Sequence, residues 1–181
     1  MGKQVVHLFG AAGSGTSTLG RYISEKTGFH FMDTDDYFWE ATDPPYTTKR
    51  AVSERLRLLR EEIGAHDAVV LSGSLVGWGD ELIPLFTLAI RVAAATPVRL
   101  ERLRRREREH FGSRIDSGGD MYEIHRDFLI WAASYDDGGL DSRSRAQHDR
   151  WQKKLACPVL LVDGSAPLER NFERIKEHLT V

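Results

Sequence analysis

The stretch GAAGSGTST, residues 10–18, lies between an apolar run, QVVHLF at 4–9, and a helical pattern with Leu19, Tyr22 and Ile23 on one face. This order of strand, glycine loop and helix constrains the chain more than any other feature. Gly10, Gly13 and Gly15 let the backbone wrap an anion with its N–H groups pointing inward. The helix that follows turns its positive end toward the same point. Such loops usually carry Lys after the second spaced glycine, where this chain has Thr16, a hydroxyl without charge. Ser17 follows, where a hydroxyl ligates Mg2+. The candidate phosphate-binding set is Gly10, Gly13, Ser14, Gly15, Thr16, Ser17 and Thr18. The dinucleotide pattern G-x-G-x-x-G fails because Thr18 holds its third glycine position.

Further along, apolar runs alternate with helical patterns, as in βα units built around a parallel sheet. Strands are expected at 4–9, 29–32, 68–71, 85–93 and 159–162. Helices are expected at 15–27, 47–64, 97–110, 119–135, 141–155 and from Leu168 to the region of Leu179. The helix at 47–64 carries Val52, Leu56, Leu59 and Ile63 on one stripe. Phe128, Trp131 and Tyr135 read as core. The expected architecture is a three-layer α/β/α domain spanning 1–181 with a five-stranded parallel sheet. Ligands in such sheets bind at the carboxyl ends of the strands.

The remaining candidates fall at those ends. Asp33, Asp35 and Asp36 lie close together in MDTDDYFW, a density that calls for a cation among them. Arg50 sits near a helix N-terminus, a poor place for a cation unless an anion comes there or Asp43 or Glu54 pairs with it. Gly73 in SGSLVGWGD leaves backbone space for a ligand, and Trp78 either stacks on a ring or simply packs. The segment 99–114 holds seven Arg and three Glu. It ends in FGSRIDSGGD, a loop able to hinge.

Strand, GAAGSGTST, helix, FMDTDD after the second strand and an arginine-rich helix after the fourth together resemble the P-loop kinases of small molecules. That group includes adenylate, cytidylate, shikimate and gluconate kinases, and the resemblance spans nearly the whole chain. It implies ATP and Mg2+ as cofactors and phosphoryl transfer to a small acceptor. Asp33 would then serve the magnesium, with Ser17, and Asp35 would contact the acceptor or act as base. Residues 36–66 would form the acceptor-binding insertion, with Arg50, Gly73 and Trp78 at the acceptor. Residues 104–120 would form the lid, with Arg106 and Arg114 closing on the transferred phosphate and Arg143 and Arg145 as a second arm. Gly164 would border the adenine. The resemblance favours a nucleoside monophosphate kinase-like activity, with a metabolite hydroxyl as acceptor, or nucleotide binding without an acceptor, as the alternatives. The Asp-Gly-Phe-Pro-Arg-like run of adenylate kinases is missing.

Composition narrows the classes further. A net charge of -2 over 181 residues gives no general pull toward nucleic acid or anionic membranes. Glutamates interleaved in the arginine run argue against nucleic-acid binding. No apolar run approaches the ~20 residues that span a bilayer. The single cysteine, Cys157, suits a reducing compartment, and a cytoplasmic location is the expectation. The seven histidines contain no i,i+4 pair and no cysteine partner, a pattern that argues against structural zinc.

Overall fold

In the computed structural model, which describes residues 2–180, the centre is a strand that is apolar on both sides. β1 (Gln4–Gly10) is buried from Val5 onward. Side chains alternate across a strand, so Val6 and Leu8 enter one core and Val5 and Phe9 the other. Only a strand covered on both faces reads as a continuous apolar run. Four further strands lie parallel to it: β2 (His30–Asp33), β3 (Ala68–Ser72), β4 (Leu88–Ala93) and β5 (Val159–Asp163). Their order is β2-β3-β1-β4-β5. In that order β1 sits between β3 and β4, with Val6 opposite Val70 and Leu88.

Helices cover both faces. α1 (Thr16–Thr27) packs Leu19 and Ile23 against Val6, Leu8 and Ile90, joined by Ile175 of α7 (Leu168–Lys176). α3 (Val52–Ala65) places Leu56, Leu59 and Ile63 on the other face with Phe9, Leu71 and Leu82. Burying Leu59 completely stabilises the fold by roughly 1.5–3 kcal/mol. Val52, expected on that stripe, is exposed, and Arg55 takes the buried place instead. α6 (Arg145–Gln152) adds Trp151 to the same core, and Ser144 caps it by accepting from Gln147 N at 3.1 Å.

His7 lies on the central strand inside this core. Its ring stacks on Phe86 at 4.7 Å and its Nδ1 meets Leu71 O at 3.1 Å. Burial lowers its pKa to about 4, against the opposing effect of that backbone hydrogen bond.

Several boundaries differ from expectation. A short helix, α2 (Thr34–Phe38), starts directly at the end of β2, where Asp33 caps it by accepting from Asp35 N. β4 begins only at Leu88, because Asp80–Leu85 forms a 3-10 turn that buries Leu82. α3 starts at Val52, after a loop pinned by the bridge between Trp39 and Lys49. α5 (Tyr122–Ala133) buries fully only Ala132, so Phe128 and Trp131 are half-buried, contrary to the core expectation. α4 (Thr96–Phe111) opens with Pro97 in its first turn and buries Arg99, Leu103, Glu107 and Phe111, four positions spaced by four. Despite its run of charges, the second half of this helix reaches the interior and buries Glu107 and Phe111.

Candidate functional site

The site grows from the junction of β1 and α1. Gly15 caps α1 at φ 103° with no side-chain hydrogen bond, and no acidic residue lies in the first turn. The first-turn amides of a helix have no partner within it, so this end is built to receive an anion from outside. Gly13 adopts φ 77°, where a Cβ would also press on Arg99 O at 2.6 Å. Gly10 abuts Val92 O so closely that a Cβ there would collide with it.

Beside the loop, Ser17 Oγ donates to Asp33 Oδ2 at 2.6 Å. A hydroxyl and a carboxylate held together at a loop of this kind are hard oxygen donors, the set that suits Mg2+. Parallel pairing of β2 with β3, Asp33 opposite Ser72, carries Asp33 to the carboxyl end of the sheet. The site therefore lies where sheets of this type bind ligands.

Asp35 lies two residues further, in the first turn of α2. The residue is exposed, yet neighbouring protein atoms crowd and partly desolvate its carboxyl. This partial desolvation raises its pKa. Asp33 adds to the shift, while Arg143 and Arg106 oppose it. Arg106 on α4 and Arg143 in the segment before α6 thus both act on Asp35 through their charge. Arg106 lies over Phe128 at 5.9 Å and pairs with Glu107 at 2.9 Å. Arg143 lies over Trp131 at 4.3 Å, and its Nε is buried without a hydrogen-bond partner among the described residues. The half-buried aromatic pair on α5 is therefore a platform for two guanidinium groups. Tyr46, at φ 64°, comes from the loop before α3 to the edge of Phe111 on α4, and Asp35 and Arg106 both act on its hydroxyl.

Arg55 completes the surroundings. It is buried, its guanidinium lies 3.8 Å from the Phe38 ring centroid and 5.3 Å from that of Trp78, and its Nε donates to Arg50 O at 2.6 Å. No carboxylate pairs with it among the described residues. Phe38 stands three residues after Asp35 on α2, hence on the same helical face.

The other candidates are placed differently. Arg50 donates from Nη1 to Tyr37 O at 2.7 Å and to Asp36 O at 3.2 Å, so it closes the end of α2. Trp78 donates from Nε1 to Ser74 O at 3.2 Å and packs on Phe38, which makes it a wall for Arg55. Gly73, at φ 114°, leaves its space to Thr34, whose side chain a Cβ would strike. Arg114 is held by Asp120 at 2.6 Å and by Asp43 at 2.7 Å, away from the loop. Arg145 pairs with Asp136 at 2.6 Å. Gly164 packs against Ser14 O, and its own carbonyl accepts from Arg102 Nη2 at 3.0 Å. Arg102 also reaches Ser14 O at 3.4 Å and Gly13 O at 3.5 Å, so it contacts the glycine loop, as does Arg99, whose Nη1 donates to Ala12 O at 3.3 Å. A cavity of about 290 Å³ beside the ends of β4 and β5 touches that loop only at Ala11.

Two groups escaped the sequence reading. Arg55 carried a signal, since it falls on the Leu56, Leu59 and Ile63 stripe of α3. Tyr46 carried none, because its position depends on the loop closing against α4.

The family model AAA_18, described as an AAA domain, matches residues 6–119. The chain belongs to this family. A member-like relative, the uncharacterized protein YqaC of Bacillus subtilis (strain 168), is 38% identical over 178 residues, 98% of each chain. A cytidylate kinase of Methanocorpusculum labreanum is 28% identical over 113 residues, 56% of this chain and 62% of that one. Among solved structures, the shikimate kinase of Bacteroides thetaiotaomicron superposes with a TM-score of 0.58 at 17% identity, covering 96% of this chain and 97% of the other. That likeness establishes the P-loop α/β/α fold for this AAA_18 chain. No helix among its described residues is long and apolar enough to cross a membrane.

Proposed function

We propose that the protein is a phosphotransferase that moves a phosphoryl group from ATP to a hydroxyl of a small anionic acceptor. The observation that carries the reading is Asp35. It is a carboxyl of raised pKa, two residues beyond the Asp33 of the Ser17–Asp33 pair, and the charges of Arg143 and Arg106 act on it. A hydroxyl acceptor must lose a proton as it attacks, and a carboxylate of raised pKa is a better base for that than an ordinary Asp.

The glycine loop and the free amides of α1 would hold the nucleotide's phosphates. Ser17 and Asp33 would hold Mg2+, which when bound neutralises charge on the phosphate oxygens. Arg102, seated on the loop's own carbonyls, supplies the positive charge that Thr16 lacks. Arg106 and Arg143 face the place where negative charge accumulates, and such positioned charge is the larger part of catalysis in phosphoryl transfer. Arg55, without a carboxylate partner and stacked on Phe38, suits an anionic group of the acceptor.

A nucleoside monophosphate acceptor is the second reading, favoured by the likeness to the cytidylate kinase. Its accepting phosphate would not need Asp35 as base. A phosphotransfer screen with ATP and Mg2+ separates the two, using hydroxylated small carboxylates, sugar acids, nucleosides and monophosphates as acceptors. Turnover with a hydroxyl acceptor that Asp35→Asn abolishes supports the proposal. Turnover with monophosphates alone, or ATP hydrolysis with no acceptor, overturns it.

A further inference from the structure

On the edge of the sheet away from the glycine loop's partners, three side chains converge that the proposed chemistry does not use. His30 opens β2, Glu62 lies on the last turns of α3, and His66 caps that helix. His30 Nε2 is 2.7 Å from Glu62 Oε1. The two imidazoles lie face to face, 3.7 Å between centroids at 12°. One ligand atom from each of the three falls within 4.8 Å of the others. Among the described residues no hydrogen bond engages His66. Glu62 is oriented from behind, because Tyr37 donates its hydroxyl to Oε2 at 2.7 Å.

We propose that His30, Glu62 and His66 form a binding site for one divalent ion of the zinc class, distinct from the nucleotide's magnesium. Two imidazole nitrogens and one carboxylate oxygen are borderline donors, which select Zn2+, Co2+ or Ni2+ over Mg2+ and Ca2+. Ligand atoms around tetrahedral zinc stand about 3.3 Å apart, given metal–ligand distances of about 2.0–2.1 Å. To share one ion the two rings must turn out of their parallel stack, until each ring plane contains the ion. The ion takes the place of the proton between His30 and Glu62, while the Tyr37 hydroxyl stays on Oε2 as the outer partner that fixes the carboxylate. The sequence pattern hid the site: Glu62 and His66 share a helical face at i,i+4, but the second histidine arrives from β2 through the fold.

The consequence is a cross-link. β2 runs from His30 directly to Asp33, and α3 carries Arg55 at its other end. An ion here ties the strand that delivers the magnesium ligand to the helix that lines the acceptor side.

The test is calorimetric titration of the chelator-treated full chain with Zn2+ in millimolar Mg2+. One Zn2+ per chain is expected. His30→Ala and His66→Ala should each weaken binding at least tenfold, and His178→Ala, on an exposed surface, should not. Saturation at a hundredfold excess over the dissociation constant should raise Tm by roughly 5–10 °C. Imidazole resonances of the wild-type protein should shift for His30 and His66 alone, which answers the question even where a variant folds badly. No binding in the presence of Mg2+, unchanged binding in both variants, or shifts confined to other histidines would overturn the site.

Discussion

As the proposed base, Asp35 would trade stability for chemistry. Its carboxyl, raised by desolvation and by Asp33, is harder to ionise in the folded chain than in the unfolded one. The sign follows: its contribution favours folding at low pH and is lost as pH rises through the raised folded pKa, leaving a cost at neutrality. Asp35→Asn should therefore keep or increase Tm at pH 7 while lowering kcat by roughly 100- to 10,000-fold. Thermal melts and steady-state kinetics on the same preparation check both. The acid limb of the kcat/KM profile should lie above the ordinary Asp range in the wild type. Gly73 is the opposite case, a residue whose whole value is steric. At φ 114°, with Thr34 filling the space beside it, Gly73→Ala should cost at least about 1–3 kcal/mol in a denaturant titration, through backbone strain and the collision with Thr34.

At the scale of elements, the proposed function gives the junction of loop and helix the part that a lysine plays elsewhere. α1 starts on a glycine with no side-chain cap, so its amides are available, and Arg102 of α4 contributes charge from the far side of the loop. Arg102→Ala should weaken ATP binding about tenfold, or about 1.4 kcal/mol, and Thr16→Lys in that background should recover part of the loss. Equilibrium binding of a fluorescent ATP analogue measures both. The strand–loop–helix unit was legible because each part has a local cause: an apolar run, three glycines and a helical stripe. The same holds for the parallel sheet and for Asp33 at the end of its strand. What was not legible depended on contacts between distant segments. Nothing near Arg114 in the chain announces Asp43, 71 positions away, as its partner. The charge of Arg106 acts on Asp35 while Arg114 is tied to Asp43 and Asp120, although both sit in one arginine-rich stretch. α2 was hidden because five residues beginning at a capping Asp leave no periodicity to read.

For the whole molecule, the buried histidine on β1 sets an acid limit. His7 is held near pKa 4 when folded, against 6.5 in the unfolded chain, so the unfolded state takes up the proton first. Its contribution to stability is fully present above pH 6.5 and is lost as pH falls from there toward 4. His148, lowered to about 3 by burial and by Arg143, Arg91 and His7, acts in the same direction. His7→Gln should be less stable at pH 7, from lost packing against Phe86, but should flatten the decline between pH 6.5 and 4 by on the order of 3 kcal/mol. Urea titrations at several pH values resolve the two effects.

Arg99 has the farthest-reaching effect on the molecule as a whole. Wholly buried, it donates to Ala12 O in the glycine loop, Ala94 O after β4 and Ala132 O on α5, and pairs with Asp136. One guanidinium thereby bolts the root of α4 to the cradle and to α5. On the proposed reading, a swing of α4 over a ligand has its fulcrum beyond that bolt, among the outer turns of α4, and leaves the cradle still.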